Sequence, residues 1–223
     1  MSNINKSFSK GKAFIPFITC GQISLDITEK TIYEMEKNGA NLIELGIPFS
    51  DPVAEGSIIQ SANNRALKNG TTTDKIFSML ESVRKNTDIP MVFMTYANIV
   101  FSYGIERFAE KSKKLKIDGI ILPDVPYEEK KEFDSIFKKH NIDFISLIAP
   151  TSEERISAIA KDSNGFIYCV SSLGVTGIRE NINTNIEKMV NLVKSVNNIP
   201  VAVGFGISTP KQDKEMSKYA DGV

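Results

Sequence analysis

I-E-L-G-I-P-F-S-D-P-V-A-E-G, residues 43–56, decides how the rest of the chain is read. Its first half is an apolar, strand-like run interrupted by one acid, Glu44, and a charge there is costly to bury without a partner or a purpose. Gly46 and Pro48 then break the strand into a loop that carries Asp51 and Glu55. An acid at a strand end with a second acid on the following loop suits general acid–base chemistry. The same residues also fit a buried, ion-paired structural glutamate, because structural ion pairs bury acids too. The stretch alone leaves both readings open.

Working outward, β-rich apolar runs recur along the whole chain, at 13–19, 42–47, 91–96, 119–123, 143–149, 166–171 and 201–206. They are almost continuously apolar, as strands covered on both faces are. Segments with helical spacing lie between them. In T-E-K-T-I-Y-E-M-E-K-N-G (28–39), Ile32 and Met35 share a face and Gly39 is a stop signal. In N-I-E-K-M-V-N-L-V-K-S-V (185–196), Ile186, Met189, Val190 and Val193 form a stripe. Ser152 and Thr209 read as N-caps, the second followed by Pro210 at the first helical position.

Strand alternating with helix implies parallel strands joined by crossover helices. Seven units are visible, and the chain reaches A-D-G-V (220–223) where an eighth strand begins. No G-x-G-x-x-G follows the first strand, which weakens a dinucleotide-binding sheet. The expectation is an α/β fold, a (β/α)8 TIM barrel whose eighth strand and last helix are missing. It would be one domain over 1–223, C-terminally incomplete and with two open strand edges.

A length of 223 residues suits one such domain, and 41% apolar residues allow a substantial core. The 27 basic and 27 acidic residues balance, which argues against an electrostatic nucleic-acid binder. The lysine-rich stretches 111–116 and 130–139 alternate with apolar residues and read as solvated helix faces. Cys20 and Cys169 have no C-x-x-C spacing and no nearby histidine, so no metal is expected and two free thiols fit a reducing cytoplasm. No run approaches the ~20 apolar residues of a membrane helix, and the first twelve residues lack the apolar segment of a signal peptide. The single histidine, His140, falls at a helix end, where its charge complements the dipole.

Barrel active sites lie at the C-terminal ends of the strands. Those ends carry Phe17 and Thr19, then Glu44 with Asp51 and Glu55, then Tyr96 and Asn98, Pro123-Asp124-Val125-Pro126, and Tyr168. Carboxylates and aromatics with few cations suit an apolar, planar substrate handled by proton transfer. Two glycine-bearing loops, S-S-L-G-V-T-G (171–177) and G-F-G-I-S (204–208), sit in adjacent units where backbone N–H groups reach an anion closely. Together they favour a phosphate; a P-loop lysine is absent.

The run E-L-G-I-P-F-S-D-P-V-A-E-G, with I-I-Q-x-A-x-x-R-A-L after it, resembles the signature of the tryptophan synthase alpha subunit family. So do F-I-P-F-I-T, Y-A-N-I-V-F-x-x-G at 96–104, P-D-V-P at 123–126, L-G-V-T-G at 173–177 and G-F-G-I-S at 204–208, in the family's order. The resemblance implies a retro-aldol lyase that cleaves indole-3-glycerol phosphate to indole and glyceraldehyde 3-phosphate in L-tryptophan biosynthesis. It also implies an alpha2beta2 complex in which indole passes to a pyridoxal-phosphate-dependent beta subunit, with no cofactor in the alpha subunit itself. By position Glu44 matches the catalytic glutamate, and Glu55 falls where the family usually has an aspartate that bonds the indole N–H. Phe17, Tyr96, Tyr168, Thr176 and Phe205 match substrate-lining positions. Gly177 and Gly206 match backbone phosphate donors, while Pro48, Asp51, Asn98 and Pro126 match the partner interface and its communicating loop.

Three features depart from the pattern. Glu stands at 55, C-G-Q-I-S at 20–24 replaces the common G-D-P, and Ser172 stands where many members have arginine. The glutamate and the missing closing strand motivate an alternative, a catalytically weak scaffold that binds and activates the beta subunit.

Overall fold

The computed structural model of the chain describes residues 3–170, 179–204 and 206–223, with side chains from Ile186 onward in the helix that starts at Arg179. They fall into two compact units, one of Asn3 with Ile15–Phe144, the other of Ile4–Phe14 with Ile145–Val223. The short helix α1 (Ile4–Ser7) belongs to the second.

The first unit has five strands, β1 (Phe17–Thr19), β2 (Ile43–Gly46), β3 (Met91–Met94), β4 (Gly119–Ile121) and β5 (Asp143–Phe144). All neighbours are parallel and the order is β1-β2-β3-β4-β5. A doubly wound sheet reverses its strand order at a switch point; here no reversal occurs. Between the strands run α2 (Leu25–Lys37), α3 (Ser57–Lys68), α4 (Thr73–Val83), α5 (Ala97–Tyr103), α6 (Ile105–Lys114) and α7 (Lys130–Lys139).

Helix boundaries follow local chemistry. Ser24 caps α2, its hydroxyl accepting the Ile27 N–H at 3.1 Å, so the helix starts before the expected residue 28. It stops at Gly39, whose φ of +96° is the left-handed conformation a side chain disfavours. Helix α5 has no capping side chain of its own; Asp124, from the loop after β4, accepts the Ala97 N–H at 3.1 Å on either oxygen. At the opposite strand ends, Arg84 donates to the carbonyls of Ile89, Leu115 and Lys116 at 2.6, 2.8 and 2.9 Å. These bonds satisfy three loop carbonyls with one guanidinium.

Register separates the two faces of this sheet. Ile18, Leu45, Phe93, Ile120 and Phe144 pair across all five strands and join the core formed with Ile32, Ile76, Leu80, Phe108 and Phe137 of the helices. The alternate row, Phe17, Glu44, Val92 and Gly119, points the other way. A one-residue slip would exchange the rows, so the register that buries the helix-facing core also fixes where Glu44 points.

The second unit holds β6 (Ser146–Ile148), β7 (Ile167–Val170) and β8 (Val201–Gly204), parallel and sequential. Its further helices are α8 (Glu153–Lys161), α9 (Arg179–Val196) and α10 (Pro210–Met216). Ser152 and Thr209 accept the N–H of Arg155 and Gln212, both at 3.3 Å, as their cap patterns predict. Ile186, Met189, Val190 and Val193 are all buried.

Several expectations need adjustment. The fifth apolar run is two strands, β5 and β6, separated at Ile145. In the first run only Phe17–Thr19 is strand, while Ala13 bridges Gly222. Gly222 also bridges Ala202, and the Val203 N–H donates to its carbonyl at 3.0 Å, so one edge of β8 is covered. Lys130 is not on a solvated face: it is buried, with its ammonium 5.9 Å from the Phe144 ring centroid, because α7 packs its first turn onto β5. His140 is the C-cap of α7, and its ring lies 3.2 Å from Glu106. No helix among the described residues is long and apolar enough to cross a membrane.

Candidate active site

Strand β2 is four buried residues, I-E-L-G, held between β1 and β3. The Glu44 N–H donates to the Pro16 carbonyl at 3.0 Å, and the residue is only 3% exposed. Burial, and secondarily the charge of Glu55, push its carboxyl up to about 8. Neither influence is a cation, which is what the ion-paired structural reading requires. A carboxyl so placed keeps its proton at neutral pH and is able to give it away.

Beyond Gly46 the chain turns into the loop that carries the second acid. The Phe17 ring lies over Gly46 so closely that a Cβ there would sit 2.6 Å from its Cζ, hence glycine at the strand's end. Phe49 packs against Tyr96 with ring centroids 5.2 Å apart. The Tyr96 hydroxyl accepts the Ala54 N–H at 3.2 Å and hydrogen-bonds the Glu55 carboxylate. From the other side, Asn63 in α3 donates from Nδ2 to Glu55 Oε2 at 2.5 Å. Gln60, one turn earlier, donates to the Glu55 carbonyl at 2.8 Å. Burial raises the Glu55 carboxyl, while the bonds from Tyr96 and Asn63 lower it. Burial raises the Tyr96 hydroxyl strongly, so it acts here as a neutral donor.

The structure therefore gathers Phe17, Glu44, Glu55 and Tyr96 in the first unit. Thr19, on the same face one pair beyond Phe17, is buried with a hydroxyl that has no hydrogen-bond partner. Of the residues expected at an interface, Asp51, Asn98 and Pro126 are exposed and Pro48 is buried. In the second unit, the Tyr168 ring packs onto Gly204, where a Cβ would lie 2.1 Å from the hydroxyl. Gly206 has φ +73° with open space where a Cβ would be. Thr176, Gly177 and Phe205, with Ser172, lie outside the described residues. Among the described residues no group of three or more His, Cys, Asp or Glu side chains is placed to hold a metal ion.

Sequence reasoning passed over Asn63, which falls on an unspecified position of the I-I-Q-x-A-x-x-R-A-L block. The available signal was an amide set between Ala62 and Ala66, which are buried on the inner side of α3. A polar residue on an apolar stripe needs a partner, and here the partner is Glu55.

Sequential parallel strands with helices on one face and two interacting acids at a strand end define an acid–base enzyme on a β/α barrel scaffold. A family model described as "Tryptophan synthase alpha chain" matches residues 3–223. The tryptophan synthase alpha chain of Lacticaseibacillus casei is 45% identical over 223 residues, covering 100% of this chain and 84% of the relative. The solved tryptophan synthase subunit alpha of Campylobacter jejuni superposes with a TM-score of 0.91 at 34% identity, over 100% of this chain and 89% of that one. A chain of the tryptophan synthase complex from Pyrococcus furiosus gives 0.85 at 33% identity, over 95% and 86%.

The chain belongs to the tryptophan synthase alpha chain family. It has that family's TIM-barrel fold and is a carbon–carbon lyase of tryptophan biosynthesis.

Proposed function

We propose that this chain cleaves indole-3-glycerol phosphate to indole and glyceraldehyde 3-phosphate with Glu44 as the acid/base and Glu55 as the acceptor for the indole N–H. The observation that carries the assignment is the buried Glu44 carboxyl, raised to about 8 on the face away from the helices, with Glu55 as its charged neighbour. Protonated Glu44 delivers its proton to indole C3, which leaves the ring cationic. Glu55, whose carboxyl burial raises and whose ionised form the bonds from Tyr96 and Asn63 favour against that rise, accepts the ring N–H and offsets that charge. The glycerol hydroxyl next to the ring then returns a proton to Glu44. As the C–C bond breaks, its electron pair restores the indole, and the former carbinol carbon becomes the aldehyde of glyceraldehyde 3-phosphate. Glu44 ends protonated, as it began.

In this reading Phe17, Tyr96, Tyr168, Thr176 and Phe205 line the substrate, and backbone N–H groups at Gly177 and Gly206 take the phosphate. The chain works as one barrel domain, which a single superposition over 100% of its length supports. It pairs with a beta subunit as alpha2beta2, with Pro48, Asp51, Asn98 and Pro126 at or behind the contact; that the Pyrococcus relative was solved as a tryptophan synthase complex supports a partner. Pyridoxal phosphate belongs to that partner. The setting is the cytoplasm, which two buried free thiols suit.

The test is Glu44→Gln in the full-length protein, assayed for indole release with and without the beta subunit. A positioned acid/base contributes roughly 10²–10⁴-fold, so kcat should fall by that order. Undiminished turnover would overturn the assignment.

A further inference from the structure

Glu55 has three rotatable side-chain bonds and sits on a loop, two residues ahead of the first residue of α3. Left to itself, such a carboxylate samples many rotamers. Three contacts restrict it. Gln60 fixes the backbone through the Glu55 carbonyl at 2.8 Å, and Asn63 reaches Oε2 at 2.5 Å from the next turn of the same helix. Tyr96, at the end of β3, hydrogen-bonds the carboxylate from another element. Asn63 itself is 3% exposed, between Ala62 and Ala66, so its amide was taken out of water to make this bond.

We propose that Asn63 is a positioning residue of the lyase site, fixing the rotamer of Glu55 by holding Oε2 so that Oε1 is presented to the substrate's ring N–H. The inference rests on the reading of Glu55 as the N–H acceptor. A carboxylate oxygen accepts through two lone pairs, so one oxygen tied to Asn63 still leaves acceptor capacity for Tyr96 and substrate. A charged-group hydrogen bond from a neutral amide also favours the ionised form. Asn63 thereby sets both where Glu55 points and how low in pH it remains an acceptor. The titratable groups facing Glu55 are Glu44 from β2 and Tyr96 from the end of β3, with Asp124 acting on Tyr96 from the loop after β4.

The experiment is a set of variants in the full-length protein with its beta subunit: N63A, N63D, E55Q and the double variant N63A/E55Q. Each is checked for folding by circular dichroism and measured for kcat/KM against pH with indole-3-glycerol phosphate. Misplacing a reacting group by ~1 Å costs ~10²-fold, so N63A should lose roughly 10- to 100-fold. Its acidic limb should move to higher pH, because one donor to the ionised carboxylate is gone. N63D keeps the volume and packing, replaces the donor with an acid, and should move that limb further in the same direction. In the E55Q background, N63A should add little further loss, since both changes act on one group. E55Q with undiminished activity would remove the underlying reading of Glu55. E55Q impaired, but N63A and N63D with an unmoved pH profile or with losses that multiply those of E55Q, would overturn the role of Asn63 alone.

Discussion

Glu44 should make the protein less stable as pH rises, and a glutamine in its place should remove that dependence. The carboxyl moves from an ordinary 4.5 to about 8 on folding. Below pH 4.5 it is protonated in both folded and unfolded chains and contributes no difference. Between about 4.5 and about 8 the folded chain holds a proton that the unfolded chain has released. The native state then binds more protons, so stability falls with rising pH across that window. Crossing one pH unit of the window costs about 1.4 kcal/mol, so its full width amounts to roughly 5 kcal/mol, an upper bound given partial relaxation of a buried site. Above about 8 both states are ionised and the dependence on this group ends. Glu44→Gln keeps the volume and removes the titration. Urea unfolding of both proteins from about pH 4 to about pH 9, which brackets the window, gives the difference curve. The variant should gain on the parent by up to several kcal/mol between the ends of that range. Parallel stability curves would mean that Glu44 is not held protonated by its surroundings, and the proton-donor role would lose its physical basis.

Gly46→Ala should place a methyl 2.6 Å from the Phe17 Cζ and force the ring aside. Overpacking of this kind costs about 1–3 kcal/mol, and KM for indole-3-glycerol phosphate should rise with it; an unchanged melt and KM would show that the ring does not lie there. Cys20 and Cys169 are buried, and burial pushes both thiols up to about 12. An aromatic disulfide reagent at neutral pH should therefore label neither in the native protein and both in urea, whereas rapid native labelling would contradict their burial.

The strands were legible because both of their faces are apolar, so V-A-V-G or M-V-F-M needs no partner to be recognised. Glu44 was legible for the opposite reason, as a charge in the interior of such a run. Pairing was less so. The break at Ile145 lies inside a short strand-like run that no glycine or proline interrupts, so nothing in the sequence marks the end of β5. Lys130 was misplaced because a lysine run is read by its charge, whereas this residue is buried with its ammonium over an aromatic ring. The Asn63–Glu55 bond spans eight residues across a loop and a helix turn, a spacing no periodic pattern marks. The site's second acid was thus visible in the sequence, while the groups that orient it came from packing.

The two acids are mounted differently. Glu44 is carried by a strand bonded into the sheet on both sides, while Glu55 hangs from a loop and is tied by side chains alone. A change of arm length at 44 has no slack to absorb it, because the neighbouring strands fix the Cα. At 55 the carboxylate is held by Asn63 of α3 and by Tyr96, side chains that can follow a longer arm. The loop position therefore leaves more room for a longer side chain than the strand position does, and the glutamate at 55 is met there by the amide at 63.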